Sequence, residues 1–297
     1  MKLCLGTVQF GMDYGVFNTP KKDPEYCIKC LDYATQNGID AIDTATAYGA
    51  AEDIVGSFLA RKTISREKLF ISTKLLPNIM DDFSQDDYLK KIRFELTKSL
   101  KTLHTDYVDA YYFHSSRYAF CPELLEAIGS VQKEGLAKHV GVSVYYPEEA
   151  LACFDNITVN YVQLPYSVFD HRMKEKDVFT KGAKVGFNID VRTVFIKGLI
   201  RLNENEVPEH LKKAIPILRK LDILCERTGY SRIELAMGYV KRENSVNHLV
   251  FGIRTLEQLK EDIVSFDKVI SEDIFMEIDR EFAGIEADLV VPSLWVK

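Results

Sequence analysis

The chain has 297 residues, enough for one large domain or two small ones. Its 38 basic and 44 acidic side chains leave a net charge of −6, which argues against a general phosphate-backbone binder, because such proteins carry basic stripes. At 46% hydrophobic and 28% charged residues it has ample apolar area to bury, so disorder is excluded as its main state.

No apolar run reaches about 18 residues, and the start, Met1 to Gly6, lacks the apolar stretch and cleavage site of a secretion signal. No membrane span and no nucleic-acid partner are expected, and self-association is left open. Cys4, Cys27, Cys30, Cys121, Cys153 and Cys225 are scattered, which fits a reducing cytoplasmic setting without disulfides. Cys27 and Cys30 form a C-x-x-C pair with no second ligand pair nearby. They read as two half-buried thiols on a helix face rather than as a metal or redox centre.

In chain order, Leu3 to Thr7 reads as a strand. Asp23 and Pro24 then give an N-cap and a first-turn proline, and Gly38 suits the position just past that helix. Ala41 to Asp43 is a second strand, followed by a helix over about 50–60. Leu69 to Lys74 is a third strand. The helix over about 84–103 carries Tyr88, Ile92, Leu96, Leu100 and Leu103 at helical spacing. Tyr107 to Phe113 is the fourth strand, with a helix over 122–134. His139 to Ser143 is the fifth, with a helix over 147–153. Thr158 to Leu164 is the sixth, with a short helix over 178–185, and Asn188 to Thr193 is the seventh. Helices are expected over 208–226 and 231–244, then an eighth strand, His248 to Phe251, and helices over 255–265 and 272–282.

Eight strands alternating with helices predict parallel βαβ units closed as an α/β (β/α)8 barrel, one domain over 1–297. The alternative is an open doubly wound sheet. A dinucleotide-binding sheet of that kind would carry G-x-G-x-x-G after an early strand; the Gly6 to Gly11 segment has the wrong spacing.

In a barrel, chemistry sits at the C-terminal ends of strands. The second strand ends in Asp43 with Tyr48 in its loop, the third in Lys74, and the fourth runs into His114. Singly each has an ordinary reading: a turn acid, a packing phenol, a solvated amine, a core imidazole. Together they would place an acid, a phenol, an ammonium and an imidazole at one mouth. A phenol is a poor acid at neutral pH, and a neighbouring cation improves it. Lys74 is expected to lower the Tyr48 pKa, Asp43 to hold Lys74 charged, and His114 to orient a carbonyl. That is general-acid catalysis of carbonyl reduction, which also needs a hydride from a cofactor and needs no metal.

The motifs Leu5-Gly6-Thr7 with Gln9-Phe10-Gly11, Gly38 to Gly49, Ser72-Thr73-Lys74, Ser99 to Asp109 leading to His114, Gly135 to Ser143, Gln163 to Ser167, Gly198-Leu199 and Gly252 to Asp262 together resemble the aldo-keto reductase superfamily over about residues 3–265. The resemblance implies a barrel oxidoreductase that uses NADP(H), with NAD(H) not excluded, and acts on a small-molecule carbonyl. It implies Asp43, Tyr48, Lys74 and His114 as the catalytic tetrad, Tyr48 being the proton donor. Gly6 and Thr7 would lie near the nicotinamide, and Ser143 and Gln163 would bond its carboxamide. Arg192, Thr193, Val194 and Phe195 through Gly198 would run along the ring and pyrophosphate. Gly252, Arg254, Gln258 and Asp262 would hold the adenosine end, Arg254 taking a 2′-phosphate.

The chain departs from the usual pattern at three of these places. Val144 stands for an Asn, Arg192 for the aromatic residue that stacks on nicotinamide, and Asp262 for an adenine-contacting Asn. A cation at 192 favours the reduced cofactor, and an acid at 262 weakens a nearby phosphate site. The 252–262 stretch also reads simply as a strand, a Thr255 cap and a helix start.

The N-terminal hairpin common in the family is missing, so the 202–212 segment or the tail over 283–297 is expected to cover the barrel floor. Tyr145, Tyr146, Trp295 and Phe113 are candidate pocket walls. The opening motif and the Arg192 to Leu199 segment resemble bacterial members linked to sugar or surface-polysaccharide metabolism, so a sugar-derived carbonyl leads. The competing functional readings are a non-catalytic nicotinamide-nucleotide-binding module and a barrel with other chemistry, such as an isomerase.

Overall fold

A computed structural model of the chain describes residues 1–295; the last two residues of the expected domain and tail lie outside the described residues. Eight strands close into one barrel in sequence order, and every neighbouring pair is parallel. They are β1 (Lys2–Gly6), β2 (Ala41–Asp43), β3 (Phe70–Leu75), β4 (Val108–Phe113), β5 (Ala137–Ser143), β6 (Tyr161–Pro165), β7 (Asn188–Arg192) and β8 (His248–Gly252). The outer ring is α1 (Pro24–Gln36), α2 (Ala51–Ala60), α3 (Gln85–Thr102), α4 (Pro122–Lys133), α5 (Pro147–Phe154), α6 (Val178–Lys184), α7 (Ile215–Thr228), α8 (Arg232–Lys241), α9 (Leu256–Phe266) and α10 (Glu272–Glu281).

Local chemistry sets the helix ends. Asp23 accepts from the Glu25 and Tyr26 amides ahead of α1, and Gly38, at φ +85°, takes the left-handed turn after it. Ser231 with Glu234 boxes the start of α8, and Thr255 accepts from the Gln258 amide at α9. The helix expected over 208–226 is divided. Glu209–Ala214 is 3-10, and the α-helix begins only at Ile215, because Pro216 has no amide proton and is tolerated only in a first turn.

Strand side chains alternate. Leu3 and Leu5 pack outward in the main apolar layer beneath the helices, while Cys4 packs inside the barrel with Ala41, Val250 and Phe70. The lower interior is filled by Phe70, Tyr112, Tyr161, Asp190 and His248. The Phe70 ring lies 4.5 Å from His248 and 6.0 Å from Tyr161. This aromatic plug fills the lower end, a role expected of the 202–212 segment or the tail. Leu202 and Glu206 line the opposite mouth instead, and the Ala287–Val290 turn of the tail packs on the Glu209–Ala214 segment. Cys27 and Cys30 are fully buried rather than half-buried, and burial pushes their thiols up to about 12 and about 11. No group of three or more metal-ligating side chains occurs among the described residues.

Candidate active site

Asp43 and Lys74 both point into the barrel from adjacent strands, and both are buried. Lys74 Nζ donates to both Asp43 carboxylate oxygens at 2.6 Å and to the Thr44 carbonyl at 2.9 Å. Ser72 Oγ at 2.9 Å and Gln163 Nε2 at 2.8 Å donate to Asp43 Oδ1 as well. A buried carboxylate needs such a donor set, or its desolvation would go uncompensated.

Tyr48 reaches this group from the β2 loop. Its ring centre lies 5.1 Å from Lys74 Nζ and meets the His114 ring edge-on at 5.6 Å. The loop is seated by two glycines. A Cβ on Gly11 would stand 1.7 Å from the Tyr48 carbonyl, and Gly49, at φ +57°, lies with its own Cβ position 2.4 Å from the Gly11 carbonyl.

The electrostatics differ from the sequence expectation at Tyr48. Burial first, and Asp43 second, push its hydroxyl well above the ordinary phenol range, while Arg192 opposes them. Lys74 is matched by its bonded carboxylate and does not reverse this. His114 is pushed down to about 3 by burial, then by Lys74 and Arg192, so its ring is neutral at physiological pH. A neutral imidazole can donate one hydrogen bond to a carbonyl oxygen. Its Nδ1 is buried with no partner.

These groups open onto a cavity of about 410 Å³. Asp43, Tyr48 and His114 line it, and Lys74 lies behind Asp43. Gly6, Thr7, Ser143, Gln163, Arg192, Thr193, Val194, Phe195, Gly198, Gly252, Arg254 and Gln258 line it too. Asp262 does not. It is fully buried and ion-paired with Arg201, and burial pushes its carboxyl up to about 7. Arg201 therefore takes up the charge that would oppose a phosphate.

Of the candidate walls, only Tyr145 lines the cavity. Phe113 packs edge-on against Tyr118, Tyr146 lies under Arg172, and the Trp295 indole donates to the Leu289 carbonyl. Tyr14 lines the cavity and was not expected. It stands in an irregular loop after β1 with no periodic pattern to mark it, and Lys197 lies over its ring at 5.0 Å. The wall at 193–198 holds Thr193, Ile196 and Lys197 at positive φ, which is strained for β-branched residues.

A family model described as the aldo/keto reductase family matches residues 2–281. The chain belongs to the aldo/keto reductase family. This aldo-keto reductase is 26% identical to an uncharacterized oxidoreductase, YrpG, of Bacillus subtilis, over 95% of this chain and 92% of that protein. It is 25% identical to an NADH-specific methylglyoxal reductase of Escherichia coli, over 84% of this chain and 85% of that protein. Its fold superposes on an aldo-keto reductase of Bacillus halodurans in its holo form with a TM-score of 0.76, at 20% identity, over 99% of this chain and 95% of the other.

Members of the family are oxidoreductases that use nicotinamide cofactors, and the polar groups of this aldo-keto reductase fit one. Gln163 Oε1 is buried without a donor on the cavity wall, where a carboxamide N–H would satisfy it. The Arg254 guanidinium lies beside Gly15, whose Cβ position is 3.1 Å from it, and the Arg254 amide donates to Gln258 at 2.8 Å.

Proposed function

We propose that this aldo-keto reductase reduces an aldehyde or ketone to an alcohol with NADPH, Tyr48 being the proton donor. The observation that carries the reading is the convergence of Asp43, Tyr48, Lys74 and His114 at one cavity mouth. The neutral His114 ring holds the carbonyl oxygen. Tyr48, protonated across the physiological range, transfers its proton to that oxygen as it becomes an alkoxide. Asp43 and Lys74 brace the floor beneath the phenol. The nicotinamide, when bound, supplies the hydride. Ser143 and Gln163 would hold its carboxamide, and the 192–198 wall would lie along the ring and pyrophosphate.

Among the described residues no acid is paired with Arg254, which supports recognition of a 2′-phosphate and hence NADPH over NADH. A sugar-derived carbonyl is the leading substrate class. The chain is 33% identical to D-arabinose 1-dehydrogenase of Saccharomyces cerevisiae over 121 residues, 39% of its length, which accords with that class. Tyr48→Phe tests the assignment. NADPH binding, followed by fluorescence titration, is expected to persist, while turnover of a carbonyl panel weighted to sugars falls by about 100-fold or more. Wild-type protein that binds NADPH and reduces nothing in the panel would overturn it.

A further inference from the structure

Ser72 and Lys74 face into the barrel, where both bond to Asp43. Thr73, between them, faces the other way because strand side chains alternate, and it is fully buried. Its hydroxyl donates to Glu52 Oε1 at 2.7 Å. Glu52 stands in the first turn of α2, four residues after Tyr48, and is itself buried, at 7% exposure. The strand that carries Lys74 is thus bonded to the helix that grows out of the Tyr48 loop.

A second tie closes on the same carboxyl. Ser99, buried on α3, hydrogen-bonds to Glu52, and its Oγ shares a hydrogen bond with Thr46 Oγ1 at 3.3 Å. Thr46 lies in the Tyr48 loop, and its amide donates to the Lys74 carbonyl at 3.3 Å. Glu52, Thr73, Ser99 and Thr46 therefore join α2, β3, α3 and the β2 loop in one polar knot, set in the apolar layer between barrel and helices.

Packing alone does not call for such a knot. A buried carboxyl loses its water, and burial pushes the Glu52 acid above the ordinary carboxylate range. An apolar side chain would fill the space without that penalty. A hydrogen bond adds a fixed length and direction. Here it links the two elements whose spacing matters for proton transfer, since the Tyr48 ring centre stands 5.1 Å from Lys74 Nζ. Resting on the reading of Tyr48 as proton donor, we infer that Glu52 is a positioning residue. It touches no reacting atom, and it holds the Tyr48 loop and α2 in register with the end of β3, so that phenol and ammonium keep their spacing.

The test follows a single turnover of the full chain, with enzyme in excess over NADPH and a simple aldehyde as acceptor, so that product release does not enter. Thr73→Val keeps the shape and removes the donor, and Glu52→Leu removes the acceptor. Each is expected to slow the single turnover by roughly 10- to 100-fold, while NADPH affinity, read by fluorescence, and the KM for the aldehyde stay within about twofold of wild type. The double variant is no slower than Glu52→Leu, because both single changes cut the same bond. Glu52→Gln, whose Oε1 still accepts from Thr73, stays within about threefold of wild type. Thr73→Val and Glu52→Gln carry the test if Glu52→Leu does not fold.

Losses that multiply in the double variant overturn the proposal, because the two residues then act separately. So does a Glu52→Gln variant as slow as Glu52→Leu. Asp190→Ala, changed lower in the barrel, must not slow the turnover as much as Thr73→Val does; if it does, the loss is one of stability and the proposal falls. Wild-type protein that reduces no carbonyl, or Tyr48→Phe that turns over as fast as wild type, sinks the preceding reading and this one with it. Active wild type, an inactive Tyr48→Phe and unaffected Thr73→Val and Glu52→Leu variants sink this one alone.

Discussion

Two carboxylates are buried inside the same barrel. Asp43, near the open end, accepts from an ammonium, a hydroxyl and an amide. Asp190, lower down, accepts from Tyr161 at 2.9 Å, His248 Nδ1 at 2.8 Å and Tyr112 at 3.3 Å. Both meet the same demand, since a desolvated acid must be surrounded by donors. Only the upper one opens onto a cavity, and on its wall two buried polar atoms, His114 Nδ1 and Gln163 Oε1, are left without partners. Burial and hydrogen bonding alone therefore do not mark a site. Unspent hydrogen-bonding capacity at an opening does.

The sharpest break of that symmetry is Lys74→Met against Asp190→Ala. Lys74→Met leaves the Asp43 charge uncompensated. It is expected to cost about 3–5 kcal/mol in urea unfolding and to lower turnover by about 100-fold or more. Asp190→Ala strands the Tyr112 and Tyr161 hydroxyls and is expected to cost about 2–3 kcal/mol, with turnover near that of wild type. Comparable turnover losses in the two variants would erase the distinction between the upper and lower acids.

A smaller effect sharpens the contrast along the cavity rather than down the barrel. Arg254→Met is expected to raise the NADPH dissociation constant by about 10- to 100-fold while leaving that of NADH nearly unchanged. Equal weakening of both cofactors would remove Arg254 from 2′-phosphate recognition.

The smallest concerns His114. Its folded pKa, about 3, lies below the unfolded value near 6.5. Between those values the unfolded chain holds the extra proton, so stability falls as pH drops from about 6.5 toward 3. The ring is partly exposed at the cavity, so the contribution is less than one full proton. His114→Asn should flatten the acid side of the stability curve measured by urea melts between about pH 4 and 7. An unchanged slope would mean that the imidazole is not held neutral.

The barrel was legible because parallel βαβ units impose two periods at once, and the strand ends that carry Asp43, Lys74 and His114 follow from those periods. Tyr48 came with the second of them. Other features turn on contacts that no local pattern encodes. Tyr14 sits in an irregular loop. Asp262 was drawn away by Arg201, which is distant in the chain. Phe113 ends a strand but faces the helices rather than the mouth. Burial raises the Tyr48 hydroxyl, and no local pattern encodes that burial. Sequence shows that Lys74 is near, but not that its protons are already taken.

The aim of the phenol is inherited from elsewhere in the chain. The Gly11 carbonyl accepts from the Ala50 amide at 3.2 Å, and neither Gly11 nor Gly49 has space for a side chain. The segment after the first strand thus acts as a jig for the segment after the second. A barrel rebuilt with a foreign first loop would keep Asp43, Lys74 and His114 in place and still misaim the Tyr48 hydroxyl.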